Sequence, residues 1–504
     1  MKHGLMDSLK TQRDTKHMKQ KYPPLGIVYV LYISNFVLNK NQTMKKIKIL
    51  CLAFSLTTSI CNANNIVVAN VLLNLQNTTS KTSVINFDAS WENSWRTSTN
   101  ENNYDGAWIF IKFRKMGTLD WRHCTVTNTL STAAPGAIFT VPSDGKGAFL
   151  YRAADGLGTI NFVANKLVWN YGVDGILDNE TVEIRVFALE MVYVTPGTFQ
   201  LGSGGTEGNA FASGSTISPY SVTSNLAITV GTGTGNLNSN LRGIATGSIP
   251  AAFPKGFSAF WMMKYEASQQ QFVDFLNHID QLKANTLFVV AAPVSGTHPN
   301  LVAAQPERAM NFGTEVRLAA MADWSGLRPF SELEFEKACR GFNTPAVSNE
   351  YAWGNTTLLS LNSVNDPGLT TESVNLPATA NCIVNATYGS PVRVGIFARP
   401  TASTRALSGG TYYGIMNMGD NVGELCFVIS TAGLLNTEAI HGDGFLSSNG
   451  STDITNWQPA TAYGIRGGAF NIGGPNARIS ERAFTNDPNG FGTSNGFRMV
   501  RTAP

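Results

Sequence analysis

Residues 328–341 read RPFSELEFEKACRG, and the chemistry of that stretch decides how the surrounding chain must fold. Ser331 and Glu334 stand three apart at the head of an apolar-periodic run. That spacing makes a capping box, in which each side chain satisfies the other residue's orphan backbone N–H. Leu333, Phe335 and Ala338 supply apolar contacts, and Gly341 is placed to terminate the helix. Upstream, residues 264–279 read KYEASQQQFVDFLNHI. There Ser268 and Gln271 form a second box, and Phe272, Phe275 and Leu276 fall on one face. Around these two helices the chain is short strands and long Gly/Asn-rich loops. The pattern predicts an irregular α+β domain of about 300 residues.

Residues 64–190 have a different texture. Runs at 66–73, 83–89, 107–114 (AWIFIKFR) and 181–188 (TVEIRVFA) are rich in β-branched and aromatic residues, with Asn, Gly and Asp between them. Ile109, Ile111 and Phe113 alternate with Phe110, Lys112 and Arg114, which predicts a strand with one better-buried face. Runs at this spacing predict an all-β sandwich over 64–190. Trp91, Trp95, Trp108 and Trp121, four of the nine tryptophans, are expected mainly in its core. After Leu201 the composition breaks: 203–255 is rich in Gly, Ser, Thr and Asn with little charge. No Lys-Ser/Thr follows its glycines, so it reads as a surface insertion rather than a phosphate cradle.

The N-terminus carries an address. From Met44 the chain reads MKKIKILCLAFSLTTSICNANN. Lys45, Lys46 and Lys48 precede an apolar run at 49–60, and Cys61-Asn62-Ala63 offers small residues for cleavage. This is the pattern of a secretory signal peptide over 44–63, too short and wrongly flanked for a membrane span. Met44 is then the expected start and 1–43 an over-extended N-terminus. Thr-Ser-Ile before Cys61 is a poor lipobox, so no lipid anchor is expected there. Ten of the 37 Lys+Arg and two of the 34 Asp+Glu fall in residues 1–63, which leaves 27 against 32 from 64 onward. The mildly basic total therefore belongs to the leader, and a nucleic-acid partner loses its support. The expected product is secreted or held at the cell surface, with no transmembrane helix in the mature chain. Its remaining cysteines, Cys124, Cys339, Cys382 and Cys426, are far apart. Disulfides in any of three pairings, or buried thiols, stay open.

Seven segments resemble one family. They are MVYVTPGTFQLGS (191–203), the helix at 268–277, RPFSELEFEKACRG (328–341), YAWGN (351–355), NMGDNVGEL (417–425), IRGGAFN (465–471) and NGFRMVR (495–501). They occur in the order seen in the formylglycine-generating enzyme, or sulfatase-modifying factor, family, over 191–504. The resemblance implies a C-type-lectin-like fold with bound calcium in many members. By position, Asn417 and Glu424 would give calcium side-chain oxygens, and Asp420 and Val422 backbone carbonyls, an oxygen set that suits Ca²⁺. Asp420 stands where glycine is usual and Gly423 where tryptophan is usual. The family's oxidase activity uses two cysteines shortly after the RGGAFN-like strand, which bind copper as thiolates. Here that stretch reads Ile472-Gly-Gly-Pro-Asn-Ala477-Arg478, and no cysteine follows Cys426. No copper is expected.

Other catalytic patterns are weak. Residues 492–496 fit GxSxG, yet only eight residues follow, too few to bring in a triad's acid and histidine. Asp443, Asp453, Glu481 and Asp487 stand singly in loops. What remains is binding. Asn456, Trp457, Tyr463, Asn471, Asn476, Arg478, Ser480, Glu481, Asn486, Asp487, Asn489, Ser494 and Asn495 lie among glycines in 456–498. Such residue types serve adaptable recognition surfaces. The expected function is a non-catalytic binding or adhesion protein for a protein or glycan ligand. Its C-terminal face also resembles the segment diversified in retroelement-encoded variable proteins. The alternatives are an active formylglycine-generating oxidase and a structural surface or appendage subunit.

Overall fold

The computed structural model describes residues 65–288 and 294–504. The signal-peptide and over-extension readings lie outside the described residues. The described chain is mixed, mostly strands with few helices, as α+β predicts. The α-helices are α1 (Gln269–Asn277), α2 (Gln281–Leu287), α3 (Glu315–Ser325), α4 (Glu332–Arg340) and α5 (Arg405–Ser408). Both capping boxes form: Ser268 caps α1 with Gln271, and Ser331 caps α4 with Glu334. Among the described residues no helix is long and apolar enough to cross a membrane.

An eight-stranded sheet runs through the molecule. Its path is Arg328–Pro329, Met499–Thr502, Phe260–Met263, Val182–Val194, Asp105–Lys115, Ala148–Arg152 and Ala137–Thr140, with Arg122–His123 paired onto Asp105–Lys115. The strand Val182–Val194 continues unbroken through residue 190 and pairs with Asp105–Lys115 on one side and Phe260–Met263 on the other. A second sheet holds Val67–Asn77, Thr82–Arg96, Gly156–Trp169 and Val126–Thr132 in that spatial order. Val68, Phe87, Trp91 and Trp169 from it share a buried apolar cluster with Ile109, Ile111 and Phe113 from the larger sheet.

Two expectations need correction. Asp105–Lys115 does not have one better-buried face, because Phe110 and Lys112 are as buried as Ile109 and Ile111. The strand is central, and its alternation sorts Ile109, Ile111 and Phe113 into one core and Trp108 and Phe110 into the other. Nor is 203–255 merely a surface insertion. It forms a small sheet of Ala212–Ser213, Leu237–Asn238, Ile228–Val230 and Gly247–Ile249. Phe211, Ile228, Val230, Leu237, Ile249 and Phe253 send their side chains into the main core. Ile228 and Val230 alternate with exposed Thr229, and single apolar residues elsewhere in the segment join them, despite a Gly/Thr-rich composition.

Charges, rather than apolar groups alone, tie α4 to the C-terminal loops. Glu332 and Glu336 lie one turn apart and are fully buried. Glu332 accepts from Arg466 at 3.2 Å and Arg482 at 2.8 Å, and Glu336 accepts from Arg466 at 2.8 Å and Arg340 at 3.1 Å. Arg482 also donates to the carbonyls of Asn209 and Ser239, so the 203–255 segment is fastened to the same network.

Candidate functional site

The strand Gly423–Phe427 lies between Tyr463–Arg466, antiparallel, and Asn495–Gly496, parallel. The loop entering it holds Asn417 and Asn421 at φ 58° and 67°, a left-handed conformation that asparagine tolerates better than most residues. Both asparagines bind backbone. Asn417 Oδ1 accepts the Gly395 N–H at 3.0 Å, and Asn421 Oδ1 accepts the Val392 N–H at 2.9 Å. Asp420 accepts the Ile383 N–H at 2.8 Å and the Asn417 amide at 3.2 Å. Asn421 Nδ2 donates to Glu266 at 3.1 Å. Glu424 receives the Arg498 guanidinium at 2.7 and 2.9 Å and through one further shorter contact.

Of the residues expected to hold calcium, Asn417, Asp420, Val422 and Glu424 are thus all buried and all in this loop and strand. Sequence reading missed Glu266, at the head of α1, which faces them. Glu266, Asp420 and Glu424 share Arg498. Burial pushes Asp420 up to about 7, with Glu424 adding to the rise. Burial also holds Glu266 well above the carboxylate range, against the pull of Arg498. Three carboxylates in one desolvated place favour either protons or a further cation.

The C-terminal residues divide. Trp457, Tyr463, Ser480, Ser494 and Asn495 are buried, so as a set the segment is no open face. Tyr463 donates its hydroxyl to Trp457 O at 2.8 Å, Ser480 accepts from Arg340 at 3.0 Å, and Asn495 donates to Pro488 O at 2.9 Å. They build the fold, because loop carbonyls and the α4 charges need partners. Asn456, Asn476, Arg478 and Glu481 are half-buried and hydrogen-bonded to Leu435, Gly473, Asn349 and Gly208. Asn471, Asn486, Asp487 and Asn489 are exposed. Tyr463 and Asn486 come together at an open cleft of ≈ 380 Å³ with Gly243, Ile244, Val428, Ser430, Thr431 and Thr461.

The stretch 472–478 offers no soft ligand. Ile472 packs against the main core and Ala477 lies in a neighbouring apolar cluster. Cys124, Cys339, Cys382 and Cys426 are free and buried, and burial pushes each thiol up. None is poised as a thiolate. Ser494 of the GxSxG match is buried in a single 3-10 turn, Gly492–Ser494. Among the described residues the one acidic group whose ligand atoms all lie within 4.8 Å of one another is Asp323, Asp443 and Asp453. Asp323 accepts from Thr452 at 2.5 Å and from the Asp443 N–H at 3.1 Å. No spacing signal joins residues so far apart in the chain.

A family model for the sulfatase-modifying factor enzyme 1-like domain matches residues 181–503. The chain belongs to that family. The match takes in the whole strand Val182–Val194, ten residues upstream of the expected start at 191. It also spans every residue of the buried polar loop and the cleft. A search of curated proteins finds no match. The sulfatase-modifying factor scaffold therefore carries, in this chain, the buried carboxylates Glu266, Asp420 and Glu424 around the head of Gly423–Phe427, and no soft-ligand side chain in 472–478.

Proposed function

We propose that this protein is an exported, non-catalytic binding or adhesion protein built on a sulfatase-modifying factor scaffold. Strands ahead of the family match share one sheet with the scaffold through Val182–Val194. The observation that carries the reading is the chemistry of 472–478. Ile472 and Ala477 face apolar clusters, and the chain's last cysteine, Cys426, is a buried thiol. Soft-metal oxygen activation needs thiolates, and these residues cannot supply them. The ligand meets the cleft around Tyr463 and Asn486. Its lining of Ser430, Thr431, Thr461, an amide and glycine backbone is neutral and rich in hydrogen-bond groups, which suits a hydroxylated, uncharged ligand such as a glycan.

Two measurements test this. Incubation with copper and a cysteine-containing sulfatase-type peptide should leave the peptide without an aldehyde; aldehyde formation would replace this reading with the oxidase one. On a glycan array, exchanging Thr461 and Asn486 for alanine should lower binding about tenfold or more, with the melting temperature nearly unchanged. Binding unaffected by both exchanges would move the ligand elsewhere on the surface.

Calcium is proposed at the buried loop because the donors the family resemblance implies are all oxygen and the buried Glu266, Asp420 and Glu424 outnumber Arg498 there. Asn417, Asp420, Val422 and Glu424 would hold it, with Glu266 opposite. The bound ion would supply charge balance and stiffen the loop. Asp420 is raised in the folded state, so the folded protein holds its proton more tightly than the unfolded chain does. Stability without calcium should therefore fall as pH rises from about 4 to about 7. A cation beside Asp420 favours its ionised carboxylate, so calcium's stabilising effect should be larger at neutral pH than in acid. At a hundredfold excess over its dissociation constant it should add about 2.7 kcal/mol. Thermal unfolding with calcium or chelator at two pH values reads both effects. Curves identical with and without calcium at neutral pH would remove the ion.

A further inference from the structure

We propose that Lys264 and Asp105 join through an intramolecular side-chain amide, with Glu190 moving the protons. Lys264 Nζ lies 3.2 Å from Asp105 Oδ2 and 3.0 Å from Glu190 Oε2. The three residues come from neighbouring strands of the large sheet. Asp105 opens Asp105–Lys115, Glu190 lies within Val182–Val194, and Lys264 follows Phe260–Met263. None is more than 4 % exposed. The Lys264 nitrogen sits 5.0 Å from the Trp95 ring centre and 5.5 Å from that of Tyr265. A dry, aromatic-walled site holding an amine against a carboxyl favours condensation. The reactants are held in contact, and little water is present to reverse the step.

The carboxyl group of Asp105 is arranged for addition at its carbon. Oδ1 accepts from Ser94 Oγ at 2.8 Å and from the Trp95 N–H at 3.0 Å. Those two donors face the oxygen on which negative charge develops when nitrogen adds to Cγ. Oδ2, beside Lys264 and bonded by Trp91 Nε1 at 3.0 Å, is the oxygen that leaves. Glu190 Oε1 is buried with no hydrogen-bond partner, and burial holds the Glu190 carboxyl above its usual range. Such a group takes up and returns protons readily. Burial works against the Lys264 charge and the neighbouring carboxylates outweigh it, so the amine becomes a nucleophile only after passing a proton to Glu190.

The step balances without a co-reactant. Glu190 Oε2 takes a proton from the ammonium, and the freed nitrogen lone pair forms a bond to Cγ. The Cγ–Oδ2 bond then breaks. Oδ2 departs as water carrying two of the three ammonium protons, one of them returned by Glu190, and the amide nitrogen keeps the third. The carbon stays at the carboxyl oxidation level, and the net charge is unchanged. The product would be a covalent tie between the start of Asp105–Lys115 and the end of Phe260–Met263, two strands of the large sheet.

Mass spectrometry of the purified, folded full chain tests this directly. After prolonged incubation at neutral pH, proteolysis should yield a branched peptide joining the segments around Asp105 and Lys264, one water lighter than their sum. The variants E190Q and K264R should yield only the two linear peptides. Recovery of only linear peptides from the native chain would overturn the proposal and leave an ordinary buried ion pair. The branched peptide in E190Q would overturn the role of Glu190.

Discussion

Replacing Glu332 with alanine should cost about 3–5 kcal/mol of stability, enough to unfold much of the protein near physiological temperature. Glu332 is fully buried and serves two guanidiniums at once, Arg466 and Arg482, and also accepts the Ile429 N–H at 3.0 Å. Without it Arg466 keeps Glu336, but Arg482 retains only carbonyl acceptors. A buried guanidinium without a carboxylate loses its main compensation for leaving water. Glu332→Gln keeps the volume and part of the hydrogen bonding, so it should lie between the native protein and Glu332→Ala. Denaturant midpoints read the series. A loss below about 1 kcal/mol for Glu332→Ala would mean that the network is not a fastening point.

The second large effect is expected at Arg498. Its guanidinium grips Glu424 and reaches the carbonyls of Met263 at 3.1 Å and Met416 at 2.9 Å. Arg498→Ala would leave Glu424 buried beside Glu266 and Asp420 with the shared cation gone. At neutral pH the cost should again be about 3–5 kcal/mol. Its pH dependence identifies the cause. Burial already raises Glu424 and Arg498 pulls it back down, so without Arg498 the folded pKa rises further above the unfolded one. The folded variant then binds more protons than its unfolded chain, and its deficit should shrink as pH falls towards about 5. A deficit independent of pH would point to lost packing instead.

Much of the scaffold was legible because local rules and tertiary packing agree. The two capping boxes were readable three residues apart, and both form. The ordered family segments led to the domain that the family match covers, because they include the α4 charges and the loop under Gly423–Phe427. Less of the site was legible. Glu266 looked like an ordinary residue ahead of a helix, since nothing in its neighbourhood announces Asp420 or Glu424 more than 150 residues on. The C-terminal polar residues misled for a related reason. Composition cannot separate an asparagine that faces water, such as Asn489, from one that holds a loop carbonyl, such as Asn495. The 203–255 segment was misjudged because its few apolar residues are diluted by glycine and threonine, and burial of Phe211 or Leu237 is decided by partners elsewhere.

The unbroken strand Val182–Val194 bears on how such a protein can be inherited and rearranged. Its two neighbours in the sheet come from opposite sides of the family boundary. A gene fusion or excision at residue 181 would strip away Asp105–Lys115 and turn a thirteen-residue strand, largely buried and apolar, into a bare sheet edge. Bare apolar edges recruit other chains into aggregates. The leading segment is therefore not freely exchangeable cargo, and any relative that dispenses with it must shield that edge by another route.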